Sequence, residues 1–198
     1  SSDLKALSVL ILGDSAAAGV GVKMQEQALL GSVLRELMTD YEVYYKLEAK
    51  TGHTSMDVIG CVNSMLPQHF DVIITSVGVN DITKLTSPKN WISKQKQLYA
   101  QINQKFTPHL IVATGVPPMH MFPALPNPLA WLFGQYAQAM NQALALFVEQ
   151  QNNMQWIEYD LNKFHRLNLS MAEDGFHPSN EIYTLWGKQV TDKIQQMF

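Results

Sequence analysis

Cysteine is almost missing from this chain, which has only Cys61 among its 198 residues. One cysteine cannot form a disulfide within the chain or build a cysteine-rich metal site. No apolar run reaches the length of a transmembrane helix, and residues 1–7 lack the basic start and long apolar stretch of a signal peptide. We therefore expect a soluble protein with no membrane span. A cytoplasmic location is favoured, or a periplasmic or secreted one if a signal peptide has been removed.

Basic charge is also scarce, with 14 Lys and Arg residues against 17 Asp and Glu residues. A nucleic-acid partner would require a basic patch, and the sequence shows none, so we expect no nucleic-acid partner. His69, His109, His120 and His165 show no paired spacing of the H-x-x-x-H kind, so the sequence predicts no metal ligands among them. Gly19-Val20-Gly21 begins like a dinucleotide fingerprint, but Met24 occupies the third glycine position. We expect no cofactor.

Alternating apolar runs and helical patterns fill the chain, and hydrophobic residues make up 46% of it. This composition and length predict one compact domain over residues 1–198. The patterns predict strands at residues 7–12, 43–49, 70–77, 110–113 and 155–159, and helices at residues 24–38, 56–65, 88–106, 129–148 and 180–197. Such alternation predicts an α/β fold with a parallel sheet covered by helices on both faces.

A proline-rich loop is predicted at residues 115–128, which contain five prolines in 14 residues. Proline fixes φ and removes a hydrogen-bond donor, so this segment should be neither helix nor central strand. It is interpreted either as a packed cap over the strand ends or as one wall of an acyl pocket. In the second case Met119, Met121, Phe122 and Leu125 would contact the substrate.

Gly13-Asp14-Ser15 directly follows the first predicted strand. In an open α/β sheet, ligands bind at the carboxyl ends of the strands. A serine there can expose its hydroxyl, and the small residues after it let a substrate approach the backbone.

Asp174-Gly175-Phe176-His177-Pro178 precedes the last predicted helix. A serine needs a base to become a nucleophile, and histidine suits that task near neutral pH. The histidine in turn needs a carboxylate that fixes its tautomer, and a three-residue spacing lets Asp174 reach His177. Taken alone, this segment could equally be an Asp-Gly turn that leads into a helix.

Two further motifs also lie at predicted strand ends, namely Thr51-Gly52-His53-Thr54 and Gly78-Val79-Asn80-Asp81. A tetrahedral intermediate carries an oxyanion that needs preorganised donors. A glycine N–H and an asparagine amide are suitable donors, and the Ser15 N–H would be a third. His53 is expected to face the loop or the substrate rather than to act as base, and Asp14 and Asp81 to organise their loops through hydrogen bonds.

Together these four motifs resemble, in order, the sequence blocks of the SGNH hydrolases, also called the GDSL esterase/lipase family. The resemblance implies that Ser15 is the nucleophile, His177 the general base and Asp174 its partner. It implies an oxyanion hole built from Ser15, Gly52 and Asn80. It also implies a three-layer α/β/α sandwich with a five-stranded parallel sheet, a flavodoxin-like arrangement. One departure is Ala16, because the family usually has leucine there.

The function implied by the resemblance is hydrolysis of acyl esters through an acyl-enzyme, without a metal or organic cofactor. The apolar side chains of the proline-rich loop favour small-molecule esters with acyl chains, as in lipases, lysophospholipases and thioesterases. One alternative is a carbohydrate acetylesterase, which should present aromatic platforms, with these candidates: Trp91, Trp131, Trp156 and Trp186. A second alternative is a non-catalytic flavodoxin-like binding module.

Overall fold

A computed structural model describes residues 4–198 of the chain. Its five strands form one sheet, with these bounds: β1 (Lys5–Gly13), β2 (Tyr41–Ala49), β3 (Val72–Ser76), β4 (Leu110–Thr114) and β5 (Met154–Ile157). The strand order is β2-β1-β3-β4-β5, and every neighbouring pair is parallel. The predicted five-stranded parallel sheet is therefore confirmed.

Helices connect the strands and cover both faces of the sheet. Their bounds are α1 (Ser15–Ala18), α2 (Leu29–Leu37), α3 (Ser55–Ser64), α4 (Val79–Thr83), α5 (Pro88–Phe106), α6 (Leu129–Glu149), α7 (Leu161–Arg166) and α8 (Asn180–Met197). Within residues 4–198, no helix combines the length and the apolar character needed to cross a membrane.

The two faces of the sheet bury separate hydrophobic clusters, because side chains alternate along each strand. In β1, Leu10 and Leu12 pack on the side covered by α3, α5 and α6. Val9 and Ile11 pack on the opposite side, against α2 and α8. This arrangement is the predicted α/β/α sandwich.

Local capping explains why two long helices begin where the sequence predicts. The Ser87 hydroxyl accepts the N–H of Asn90 at the start of α5, and Pro88 occupies the first helical position, where it suits a helix. The Ser179 hydroxyl accepts the N–H of Ile182 at the start of α8. Both serine caps accept backbone N–H groups that have no partner within the helix.

The expected helix over residues 24–38 is wrong at its start. A 3₁₀ turn covers Gln25–Gln27, and Ala28 is extended before α2 begins. The fifth strand lies earlier than predicted, at Met154–Ile157. Three short helices that the periodicity did not indicate are α1, α4 and α7, since four to six residues are too few to show a helical period.

Candidate active site

Three of the segments that carry predicted site residues lie side by side at the carboxyl ends of β2, β1 and β3. β1 lies between β2 and β3, and Gly13 at its end is level with Ala49 of β2 and Ser76 of β3. The chain after β1 therefore leads to Ser15 between the loop with Gly52 and the loop with Asn80.

Ser15 begins α1 directly after a tight turn. Gly13 has no room for a side chain, because a Cβ there would overlap the carbonyl oxygen of Ser76 and lie 2.7 Å from the Cβ of Ala17. Asp14 caps the helix by accepting the N–H of Ala16 at 3.1 Å, as expected for a residue that organises its loop. Ser15 itself is 8% exposed, and its Oγ lies 3.0 Å from His177 Nε2.

His177 is held by a carboxylate in the same short segment. Asp174 Oδ2 lies 2.5 Å from His177 Nδ1. The other oxygen, Oδ1, accepts the backbone N–H of Phe176 at 3.0 Å and that of His177 at 2.9 Å. Because a carboxylate only accepts, Nδ1 of the imidazole carries the proton and Nε2 is left to accept the Ser15 hydroxyl.

The hydrogen bonds at Asp174 determine its charge. Burial alone would raise the pKa of its carboxyl group, but the hydrogen bonds from the His177 backbone and side chain and from the Phe176 backbone outweigh burial. They lower the pKa of Asp174 to about 2. The group is therefore ionised at neutral pH, as the partner of an imidazolium should be.

The two predicted oxyanion donors flank Ser15. Gly52 has a φ of +83°, a conformation that glycine adopts without strain. Within residues 4–198, the N–H groups of Gly52 and Ser15 donate to no protein acceptor. Asn80 lies in α4, and its Nδ2 donates one hydrogen to the His53 carbonyl at 3.0 Å, which leaves the second hydrogen of the amide for another acceptor.

A buried polar network fixes the helix that carries Asn80. Asp81 accepts the backbone N–H of Ser55 at 3.1 Å and its hydroxyl at 3.0 Å. Gln95 of α5 donates to the same Ser55 hydroxyl at 2.7 Å. Asp81 thus organises its loop, as predicted, by joining the start of α3 to α4.

An apolar cavity of about 240 Å³ opens beside Ser15 and His177. Carbon-rich side chains make up most of its wall: Pro117, Pro118, Met121, Phe122, Phe164, Leu169, Met171 and Phe176. Ala16 also lines it, so the departure from the usual leucine leaves space next to the nucleophile. The cavity can hold the apolar part of an ester while the carbonyl carbon of that ester faces Ser15.

The proline-rich loop contributes only part of the expected wall. Met121 and Phe122 line the cavity, whereas Met119 and Leu125 do not. Met119 is fully buried and Leu125 packs against the same hydrophobic cluster. Met119–Met121 forms a 3₁₀ turn, which directs Met119 into the core beneath the loop.

The opposite wall was missed at the sequence level. Phe164, Leu169 and Met171 lie in the connection between β5 and α8, which shows no regular periodicity. A usable signal was their place in the chain, because this connection leaves the carboxyl end of a parallel strand, the end of the sheet at which ligands bind.

Comparisons with known proteins agree with the geometry of the site. A sequence model of the GDSL-like Lipase/Acylhydrolase family matches residues 11–185. No curated protein matches the chain.

Among solved structures, the chain is similar to a member of the lipolytic protein G-D-S-L family from Veillonella parvula DSM 2008. The TM-score is 0.79 at 13% identity, with 97% of this chain and 100% of that one covered. It is also similar to an aryl esterase from M. Smegmatis, with a TM-score of 0.71, 16% identity and coverage of 98% and 100%. It is similar as well to phospholipase A1 from Streptomyces albidoflavus NA297. The TM-score is 0.69 at 16% identity, with 95% of this chain and 99% of that one covered. At these identities the likeness shows a shared fold.

Proposed function

Because this chain belongs to the GDSL-like lipase/acylhydrolase family, and is therefore an acyl ester hydrolase, we propose that Ser15 is its nucleophile, His177 its general base and Asp174 the partner of the histidine. The observation that carries this proposal is the hydrogen-bonded series from Asp174 through His177 to Ser15 beside an apolar cavity. Family membership also favours an enzyme over a non-catalytic binding module.

The proposed reaction proceeds through an acyl-enzyme. Ser15 Oγ attacks the ester carbonyl carbon while its proton passes to His177 Nε2. The tetrahedral intermediate then collapses, the ester C–O bond breaks, and the leaving alkoxide takes the proton from Nε2. Water attacks the acyl-enzyme with Nε2 again as base, which releases the acid and restores Ser15. Ionised Asp174 stabilises the imidazolium in both halves of the reaction.

We place the oxyanion hole at the N–H groups of Ser15 and Gly52 and at Nδ2 of Asn80. These donors come from the ends of three adjacent strands, so the sheet fixes their relative positions before the substrate arrives. Preorganised donors of this kind need no rearrangement when negative charge develops. Residues 1–198 would then act as a single hydrolase domain, since the proposed site residues gather at one end of a single sheet.

An acyl chain is the substrate group that fits the cavity beside Ser15. Its wall offers carbon atoms from proline, methionine, leucine and phenylalanine side chains, and apolar surface binds apolar chains because both leave water. The volume of about 240 Å³ lies below the usual range of roughly 300–1,000 Å³ for pockets that bind drug-sized ligands. We therefore expect short and medium acyl chains to be preferred over long ones.

Hydrolysis of p-nitrophenyl esters from acetate to palmitate tests the proposal. Ser15→Ala should lose the activity and its labelling by a fluorophosphonate, because no other group supplies the nucleophile. Ser64→Ala, which changes an exposed serine of α3, is the matched control and should retain both. Full activity in Ser15→Ala would refute the serine mechanism, and an optimum at palmitate would refute the size preference.

A carbohydrate acetylesterase is the second candidate, and one groove favours it. Trp131 is 60% exposed and lines, with Trp156, a groove of about 910 Å³ that shares Pro118 and Tyr159 with the cavity beside Ser15. Amide side chains in the same groove could bind sugar hydroxyls: Gln135, Gln138 and Gln142. Faster turnover of an O-acetylated oligosaccharide than of p-nitrophenyl butyrate, with a loss of that preference in Trp131→Ala, would select this candidate.

A further inference from the structure

Three side chains that commonly bind metals meet at the amino end of the sheet. Asp71 directly precedes β3, His109 directly precedes β4, and His69 lies in the connection that leads to Asp71. β3 and β4 are parallel neighbours, so the residues that precede them lie together. This end of the sheet is opposite to the carboxyl ends that carry Ser15.

The atoms of this cluster that could bind a metal face one another. Asp71 Oδ1 lies 3.0 Å from His69 Nε2 and 3.9 Å from His109 Nε2. All the ligand atoms of the cluster lie within 4.8 Å of one another. Two ligands on a tetrahedral zinc ion are separated by about 3.4 Å, given bond lengths near ~2.1 Å. The two Asp71 distances lie on either side of that value, and the ligand atoms of the two histidines lie within 4.8 Å of each other, so side-chain rotations can bring all three to that spacing.

Main-chain hydrogen bonds hold two of the three residues in register. The Asp71 carbonyl oxygen accepts the N–H of His109 at 3.0 Å and that of Leu110 at 3.1 Å. One residue earlier, the N–H of Phe70 donates to the carbonyl of Phe106 at 3.2 Å. The separation of the Asp71 and His109 side chains is therefore set by the fold rather than by the side chains themselves.

Outer hydrogen bonds orient the side chains in the way that metal sites require. Asp71 Oδ2 accepts both the backbone N–H and the hydroxyl of Ser8, at 2.7 and 2.8 Å, which leaves Oδ1 directed at the histidines. The far nitrogen of His69, Nδ1, lies 3.2 Å from Thr107 Oγ1. Without an ion, His69 Nε2 carries the proton and donates it to Asp71 Oδ1, because a carboxylate only accepts. An ion that binds Nε2 displaces that proton, and the Thr107 hydroxyl can then accept a proton on Nδ1.

The charge of Asp71 also suits a ligand. Burial alone would raise the pKa of its carboxyl group, but the hydrogen bonds from Ser8 and His69 outweigh burial and lower it. An ionised carboxylate is the form that coordinates a cation.

We propose that His69, Asp71 and His109 bind a divalent transition metal ion of the zinc class. Two imidazoles and one carboxylate suit zinc, copper, nickel or iron, whereas calcium and magnesium prefer an all-oxygen set. Both histidines are exposed, so an ion can enter from solvent and water can complete its coordination. The sequence spacing indicated no such site, because the ligands come from two separate loops.

The bound ion links three strands at one end of the sheet. Asp71 and His109 precede β3 and β4, and Ser8 of β1 holds the carboxylate. Because these ligands come together only in the folded chain, binding stabilises the native state by mass action. The ion lies away from Ser15, so ester hydrolysis should proceed without it.

Calorimetric titration of metal-free protein with Zn²⁺ tests this site, together with thermal unfolding at increasing Zn²⁺. We expect one saturable site in the wild type and a rise in Tm on binding. His69→Asn and His109→Asn should each weaken binding by about tenfold or more and should move the rise in Tm to correspondingly higher Zn²⁺ concentrations. Both substitutions lie on the surface, so folding and ester hydrolysis without Zn²⁺ should be unchanged.

Two controls exclude other histidines. His165→Asn changes an exposed histidine of α7 outside the cluster and should bind Zn²⁺ as the wild type does. His177→Ala should also retain the site. The proposal would be overturned by no saturable binding in the wild type, by unchanged affinity in both His69→Asn and His109→Asn, or by loss of binding in His177→Ala alone.

Discussion

At the scale of single residues, two aspartates near Ser15 have pKa values shifted in opposite directions. Asp14 is buried, and burial raises its pKa to about 6, although the N–H groups of Ala17 and Ala16 act to lower it. Asp174 is more exposed, and its hydrogen bonds prevail over burial, so its pKa falls to about 2. The balance between lost hydration and gained donors thus decides the pH at which each carboxyl group ionises.

Asp174→Asn tests the role of the ionised carboxylate. The amide can still accept the backbone N–H groups of Phe176 and His177, but its NH₂ group cannot accept the proton on His177 Nδ1. The imidazole should then adopt the wrong tautomer, and kcat for p-nitrophenyl acetate should fall by roughly 10³ to 10⁴, as in other serine triads.

The matched control for that substitution is Asp160→Asn. Asp160 also accepts a backbone N–H, that of Lys163 at 3.0 Å, but it caps α7 and contacts neither Ser15 nor His177. Its variant should keep wild-type kcat. Equal activity in the two variants would remove Asp174 from the mechanism.

Asp14→Asn tests the effect of a buried carboxyl group on stability. The folded chain binds the Asp14 proton more tightly than the unfolded chain, since the pKa rises from 3.8 to about 6. The free energy of unfolding should therefore decrease as pH rises across that interval, by up to about 3 kcal/mol from this group. The asparagine can still cap α1 and has no proton to lose, so this decrease should be absent in the variant.

Chemical denaturation at a series of pH values measures the difference between wild type and Asp14→Asn. Asp160→Asn serves again as the control, because Asp160 is an exposed helix cap. Curves for wild type and Asp14→Asn that run parallel from pH 3.8 to about 6 would show that burial does not raise the pKa of Asp14.

At the scale of elements, the sequence predicts those structures whose signals are local. The serine cap and Pro88 define the start of α5, and continuous apolar runs define β3 and β4. The break before α2 has no such signal, because Ala28 is extended there although alanine is the strongest helix former. The same limit applies to the cavity, whose wall from Phe164 to Met171 is set by a long connection without a repeating pattern.

Close packing of α2 and α8 depends on Gly187. An added Cβ there would overlap the Ser32 hydroxyl and lie 2.5 Å from the Ser32 Cβ. Gly187→Ala should therefore destabilise the protein by about 1–3 kcal/mol, the usual cost of overpacking. For a domain of this size each kcal/mol lowers Tm by roughly 2–4 °C.

Gly60→Ala is the matched control for Gly187→Ala. Gly60 is also within a helix, α3, but a Cβ there would contact nothing within 4 Å. Alanine is a better helix former than glycine by about 1 kcal/mol, so Tm should rise. Thermal unfolding of both variants measures the effect, and a rise in Tm for Gly187→Ala would contradict the packing argument.

At the scale of the whole molecule, the proposed site joins distant parts of the chain. Ser15 and His177 are 162 residues apart in sequence, and the sheet brings the turn after β1 next to the segment before α8. The proposed nucleophile, Ser15, lies next to the buried core. Residues 158–174, which lead to the histidine, include no buried residue.

This contrast predicts that activity and secondary structure are lost at different denaturant concentrations. Segments with few buried contacts open locally at lower free energy than the global transition. Ester hydrolysis should therefore decline at a lower urea concentration than far-UV circular dichroism, and amide hydrogens of residues 158–174 should exchange faster than those of β3. Phe164, Leu169 and Met171 also line the cavity, so a phosphonate attached to Ser15 should slow that exchange. Coincident loss of activity and circular dichroism would show instead that this connection unfolds only with the core, and that the contacts of Asp174 are as stable as the sheet.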